Sequence, residues 1–70
     1  MNDETFNLSM RKFLKTVGVT SQQKIEDAVR EAQEAGTLPA GGLPAKVTVE
    51  IPALGMTHVV NGEIKTEGEA

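Results

Sequence analysis

The chain has 70 residues, a formal net charge of −3 and no cysteine. The missing cysteine excludes disulfides and cysteine-based zinc sites, and one histidine cannot hold a metal ion alone. The acidic balance argues against nucleic acid and anionic membranes as partners, because binding to either needs clustered basic charge. We therefore expect no metal, no cofactor and no membrane partner.

The small size predicts one domain, residues 1–70, with a thin core. The aromatic residues are Phe6 and Phe13 alone, so aliphatic side chains supply most of the buried area. A core of this size stabilises a fold by only about 3–5 kcal/mol. Self-association is the simplest further source of burial, so we expect a homodimer.

Features of a membrane or secreted protein are missing from the sequence. No apolar run approaches the roughly 20 residues that cross a bilayer. The N-terminal residues 1–4 are acidic, whereas a secretory signal begins with basic residues. We expect a cytoplasmic protein.

The N-terminal third of the chain predicts a first helix over residues 3–17, ended by Gly18. Its apolar residues recur every three or four positions, and acidic residues open it while basic residues close it, as the helix dipole favours. The apolar residues are Phe6, Met10, Phe13, Leu14 and Val17.

A second helix is predicted over residues 21–35. Thr20 and Gln23 have the spacing of a capping box, and Gly36 follows as the C-cap. The expected core residues are small enough to let another helix approach closely: Ile25, Ala28, Val29 and Ala32.

Residues 36–44 are rich in proline and glycine and are predicted to be a linker. The prolines favour extended backbone, and Gly41 and Gly42 permit a bend. We interpret this segment as a surface loop, with a hinge for domain swapping as the alternative.

Residues 45–51 and 56–60 alternate in polarity around a turn at 52–55, which predicts an antiparallel β-hairpin. The register follows from the four-residue loop and creates one apolar face interrupted by His58. The expected pairs are Ile51 with Met56, Val49 with His58, and Val47 with Val60.

Asn61 and Gly62 form a strong two-residue turn signal, which predicts a third strand over residues 63–66 and a tail over 67–70. This pairing would place Val59 and Ile64 together on the outer face of the sheet. A loop longer by one residue would instead set Ile64 opposite Val60, and the sequence leaves both registers open.

Arg11, Lys12 and Lys15 form a basic patch that could contact an acidic partner or an RNA backbone, although a solvated helix face is the favoured interpretation. Stacking of bases is not expected, because exposed aromatic side chains do not accompany the patch. We do not expect the two predicted helices to bind DNA as a helix-turn-helix motif, because the second helix carries an excess of acidic residues that would repel phosphate. The further candidate contacts are Leu54, Val59 and Ile64.

His58 is the single residue whose side chain ordinarily titrates near neutral pH, so it is a candidate proton-transfer group or pH sensor. No nucleophile, base or second metal ligand accompanies it in a recognisable motif. A histidine hydrogen-bonded at the edge of the sheet core is the favoured interpretation, and we expect no enzymatic activity.

Four segments resemble a family of short, uncharacterised bacterial proteins: FNLSMRKFLK at 6–15, VGVTSQ at 17–22, IPALG at 51–55 with His58, and GEI at 62–64. The similarity covers nearly the whole chain. It implies a stand-alone bacterial domain of unknown function, with no activity or site residue to transfer.

Together these features predict an α+β fold in which two helices cover one face of a two- or three-stranded antiparallel sheet. The function they favour is protein–protein interaction by a homodimer. The alternative is a nucleic-acid-associated protein that uses the basic end of the first helix.

Overall fold

The structure, a computed structural model, describes residues 1–67 and contains one long helix followed by a β-hairpin. Helix α1 spans Asp3–Ala35. Strands β1, Gly42–Ile51, and β2, Met56–Lys65, pair antiparallel. The helix lies in one compact unit, Met1–Leu38, and the hairpin lies in a second unit that begins at Pro39. The expected α+β class is confirmed.

Both ends of α1 are set by local capping. The side chain of Asn2 accepts a hydrogen bond from the backbone N–H of Thr5 at 2.9 Å. At the other end Gly36 has a φ of 72°, which is the left-handed conformation that glycine adopts most easily. The N–H of Thr37 then donates to the carbonyl of Ala32 at 2.8 Å. The predicted helix start and C-cap are therefore confirmed.

The prediction of two helices is wrong, because α1 continues without interruption through Gly18, Val19 and Thr20. An interior glycine weakens a helix by about 1 kcal/mol but does not end it unless another feature does. The hydroxyls of Thr16 and Thr20 donate to the carbonyls of Lys12 and Thr16, at 3.1 and 2.8 Å. Thr20 is thus bonded inside the helix and does not cap a second one.

The hairpin has the predicted register. Ile51 lies opposite Met56, Val49 opposite His58 and Val47 opposite Val60. The connection is a 3-10 turn over Pro52–Leu54, closed by Gly55 with a φ of 62°. All three predicted pairs are confirmed.

The third strand is not formed, and the turn predicted at Asn61 and Gly62 is wrong. Both residues lie within β2, opposite Lys46 and Ala45, and neither has the positive φ that a type I′ turn requires. Strand β1 begins at Gly42, earlier than predicted, so residues 63–65 pair with 42–44. The linker shortens to residues 36–41. Of the predicted tail, residues 68–70 lie outside the described part of the chain.

Candidate interaction surface

Most large apolar side chains of both units are exposed, and the others are only half-buried. None of residues 1–67 is buried, since neither a single helix nor a two-stranded sheet can enclose a side chain by itself. Phe6 and Phe13, expected to anchor a core, are 49% and 58% exposed. The described residues therefore offer apolar surfaces in place of the predicted thin core.

One of these surfaces is a stripe along α1. Because the helix is continuous, the two apolar patterns predicted for separate helices join on one side of it. Lys24 interrupts this side, whereas Leu8 and Val19 lie away from it. The helix stripe consists of Phe6, Met10, Phe13, Leu14, Val17, Ser21, Ile25, Ala28, Val29 and Ala32.

The second surface is one face of the hairpin. Side chains alternate between the faces of a strand, so the register places ten residues on a common side. Opposite them lies a mainly polar face. The hairpin face consists of Leu43, Ala45, Val47, Val49, Ile51, Met56, His58, Val60, Gly62 and Ile64.

Leu43 belongs to the hairpin face but was assigned to the linker by the sequence pattern. The alternation of apolar residues does extend back from Val47 through Ala45 to Leu43. Pro44 obscures it, because proline has no N–H to donate to a sheet. In a two-stranded sheet every strand has a free edge, where proline is tolerated.

The candidate contacts Val59 and Ile64 are separated, which rules out the register that would place them together on an outer face. Ile64 lies opposite Leu43 on the hairpin face, whereas Val59 lies opposite Thr48 on the polar face. Leu54 is 74% exposed at the turn. These three residues do not form one patch on the hairpin.

His58 lies on the hairpin face opposite Val49 and is exposed. Within the described residues its imidazole forms no hydrogen bond, so the one expected for a core histidine is not observed. Across residues 1–67, no three histidine, cysteine, aspartate or glutamate side chains cluster as metal ligands would. In the register of the described hairpin, the neighbours of His58 on its face are the apolar residues Val49, Met56 and Val60.

Charge is distributed unevenly along α1. Arg11, Lys12 and Lys15 are exposed in its N-terminal half, far from its C-terminus, so the predicted match to the C-terminal dipole is wrong. The C-terminal half carries Glu26, Asp27, Glu31 and Glu34 against Lys24 and Arg30. Arg30 and Asp27 form an ion pair at 3.4 Å that is too exposed to contribute much stability. The helix is therefore basic over residues 11–15 and acidic towards its C-terminus.

In the part of the chain that is described, no helix combines the length and apolarity needed to cross a membrane. The helix stripe is confined to one side of α1, and the rest of the helix surface is mainly polar apart from Leu8 and Val19.

A model of a family of unknown function, DUF6494, matches residues 1–67. The chain belongs to this family, which confirms the resemblance to a short uncharacterised family. No curated protein and no solved structure matches the chain significantly. The family gives no activity, ligand or partner.

Proposed function

We propose that this family member is a non-enzymatic protein–protein interaction module that acts as a homodimer. The observation that carries the proposal is the exposure of apolar residues on both units while none of residues 1–67 is buried. The bacterial cytoplasm is the proposed location. A cysteine-free composition suits that reducing compartment.

The energetics favour association. Burying a Val, Leu, Ile, Phe or Met side chain that is otherwise exposed stabilises by about 1.5–3 kcal/mol. The helix stripe and the hairpin face each hold several such side chains, and disulfides cannot reinforce the fold. A second copy of the chain is present wherever the first one is, and it carries the same apolar surfaces.

Solution mass tests the proposal directly. Light scattering behind size exclusion, run over a wide concentration series, should give a mass near twice the 7.5 kDa of one chain. A mass of one chain at every concentration would overturn the homodimer.

Val17 and Val19 provide a matched pair of variants for the same measurement. Val17 lies on the helix stripe and Val19 lies away from it, although both belong to the same helix. Burial of one valine is worth more than the 1.4 kcal/mol that corresponds to tenfold in affinity. Val17→Glu should therefore weaken dimerisation by at least about tenfold, whereas Val19→Glu should leave it nearly unchanged.

Binding to a nucleic-acid backbone is the second candidate function. The observation that favours it is the exposure of Arg11, Lys12 and Lys15 along little more than one turn of α1. A mobility-shift assay with RNA at low and moderate salt tests it, because phosphate contacts give an affinity that falls with salt. The absence of a shift at low salt would eliminate this candidate.

A further inference from the structure

The helix stripe is self-complementary, and we propose that two copies of the chain dimerise by pairing their α1 helices antiparallel, centred on Ser21. This inference rests on the proposed homodimer and adds its geometry. The surface is the stripe on α1, and the occupant is the same stripe of a second copy. Continuity of α1 is essential, because a turn at Gly18 would divide the stripe.

The spacing of the stripe is the first support. Going outward from Ser21, apolar residues occur at equal distances on both sides: Val17 and Ile25, then Leu14 and Ala28, then Met10 and Ala32. A two-fold dimer needs this symmetry, because residue i of one copy must meet residue j of the other while j meets i. Two antiparallel helices related by a two-fold axis at Ser21 would therefore bring these positions to the same levels.

The repeat of the stripe supports contact over its full length. Residues of the stripe recur every eleven positions along the chain. One such series is Met10, Ser21 and Ala32, and another is Phe6, Val17 and Ala28. An eleven-residue repeat corresponds to about 3.67 residues per turn, close to the 3.6 of a straight helix. The stripe thus runs nearly parallel to the helix axis and can face a second helix without strong supercoiling.

Side-chain size is also complementary in the antiparallel arrangement. Met10 would lie level with Ala32 of the second copy, and Leu14 level with Ala28 of the second copy. Close packing needs large side chains opposite small ones, so that the layers fill the space between the helices. A parallel arrangement would place Leu14 beside Leu14 and Ala28 beside Ala28, with crowding at one end and voids at the other.

The distribution of net charge along α1 also favours the antiparallel direction. In the antiparallel pair, the basic segment 11–15 lies level with residues 27–31 of the second copy, which carry Asp27 and Glu31 against Arg30. In a parallel pair, the basic segment 11–15 would lie level with the same basic segment of the second copy. Opposite charges at the rim of an interface contribute mainly to orientation and specificity, while the apolar stripe supplies the affinity.

Disulfide trapping tests the arrangement, and the absence of native cysteine makes single engineered thiols unambiguous. Ser21→Cys should crosslink to itself in the full-length chain equilibrated in a glutathione buffer. Met10→Cys alone should not, because its two copies would be separated by about 33 Å along the helices, whereas a disulfide needs Cα atoms within about 7 Å. Met10→Cys mixed with Ala32→Cys should give the mixed disulfide. Val19→Cys, away from the stripe, is the control that should not crosslink.

The outcomes separate this inference from the proposed function. A dimer in which Met10→Cys crosslinks to itself would show parallel helices and overturn the antiparallel pairing, but the homodimer would stand. A dimer in which neither Ser21→Cys nor the mixed pair crosslinks would place the interface elsewhere and also overturn it. A monomeric mass for the wild-type chain would overturn both proposals.

Discussion

The glycine inside α1 and the glycine that caps its C-terminus have opposite roles, and substitution by alanine should reveal this. Gly18 lies inside the helix, where an added Cβ meets no atom within 4 Å, whereas Gly36 ends it with a φ of 72°. Gly18→Ala should stabilise the protein by about 1 kcal/mol through helix propensity. Gly36→Ala should destabilise it by about 1–2 kcal/mol, because alanine is strained in the left-handed conformation. Urea denaturation followed by circular dichroism measures both, and loss of stability in Gly18→Ala would contradict the continuous helix.

Asn2 provides the side-chain cap at the start of α1, through its hydrogen bond to the N–H of Thr5. Asn2→Ala should destabilise the protein by about 1 kcal/mol, because that N–H loses its partner. Asn2→Asp retains an acceptor and serves as the control. Amide hydrogen exchange should show faster exchange of Thr5 in the alanine variant only. Equal exchange in both variants would show that the cap contributes nothing.

At the scale of single elements, β2 can be tested at Gly62. The structure places Gly62 in the strand opposite Ala45, with no atom within 4 Å of an added Cβ. Gly62→Thr should therefore stabilise the hairpin by roughly 0.5–1 kcal/mol, because glycine weakens a strand interior and threonine favours it. A type I′ turn at this position needs a positive φ, which threonine avoids, so destabilisation would indicate the turn. The stability of Gly62→Thr against urea distinguishes the two.

The sequence predicts the elements well where their signals are local and agree with one another. The turn at Pro52–Leu54 and Gly55 fixes the register by its length, and the predicted C-cap Gly36 lies beside the helix end that it closes. The sequence misleads where a local turn signal is overruled. Helical hydrogen bonds run through Gly18 to Thr20, and the distant segment 42–44 pairs with residues 63–65, which removes the need for a turn at Gly62.

The residues of the candidate surface could be predicted from the sequence, but their arrangement could be predicted only in part. The apolar residues themselves are evident from spacing, and so is the apolar side of the central hairpin pairs. Whether these apolar residues form one stripe or two depends on whether α1 is one helix or two. The glycine at Gly18 and the capping-box spacing at Thr20 are too weak as signals to decide this. For the same reason Ser21, predicted to begin a second helix, was not recognised as a member of the stripe.

At the scale of the whole molecule, the two leucines of α1 distinguish a dimer from a lone chain. Leu14 lies on the helix stripe and Leu8 lies off it, and in the single chain both are exposed, at 50% and 63%. If the chain were monomeric, Leu14→Ala and Leu8→Ala should both change stability by less than about 0.5 kcal/mol, as surface substitutions do. If Leu14 packs against a second copy, its loss should cost about 2–5 kcal/mol, as in a protein core.

Thermal unfolding at several protein concentrations measures this difference and its origin together. The midpoint of a dimer rises with concentration, because association favours the folded state by mass action. We expect that rise for the wild-type chain and for Leu8→Ala, whereas Leu14→Ala should unfold at a lower temperature at each concentration. A midpoint independent of concentration, with equal effects of the two variants, would contradict the dimer. A large effect of Leu14→Ala without concentration dependence would mean that the side chain is buried within one chain, because mass action cannot stabilise a contact that involves no second molecule.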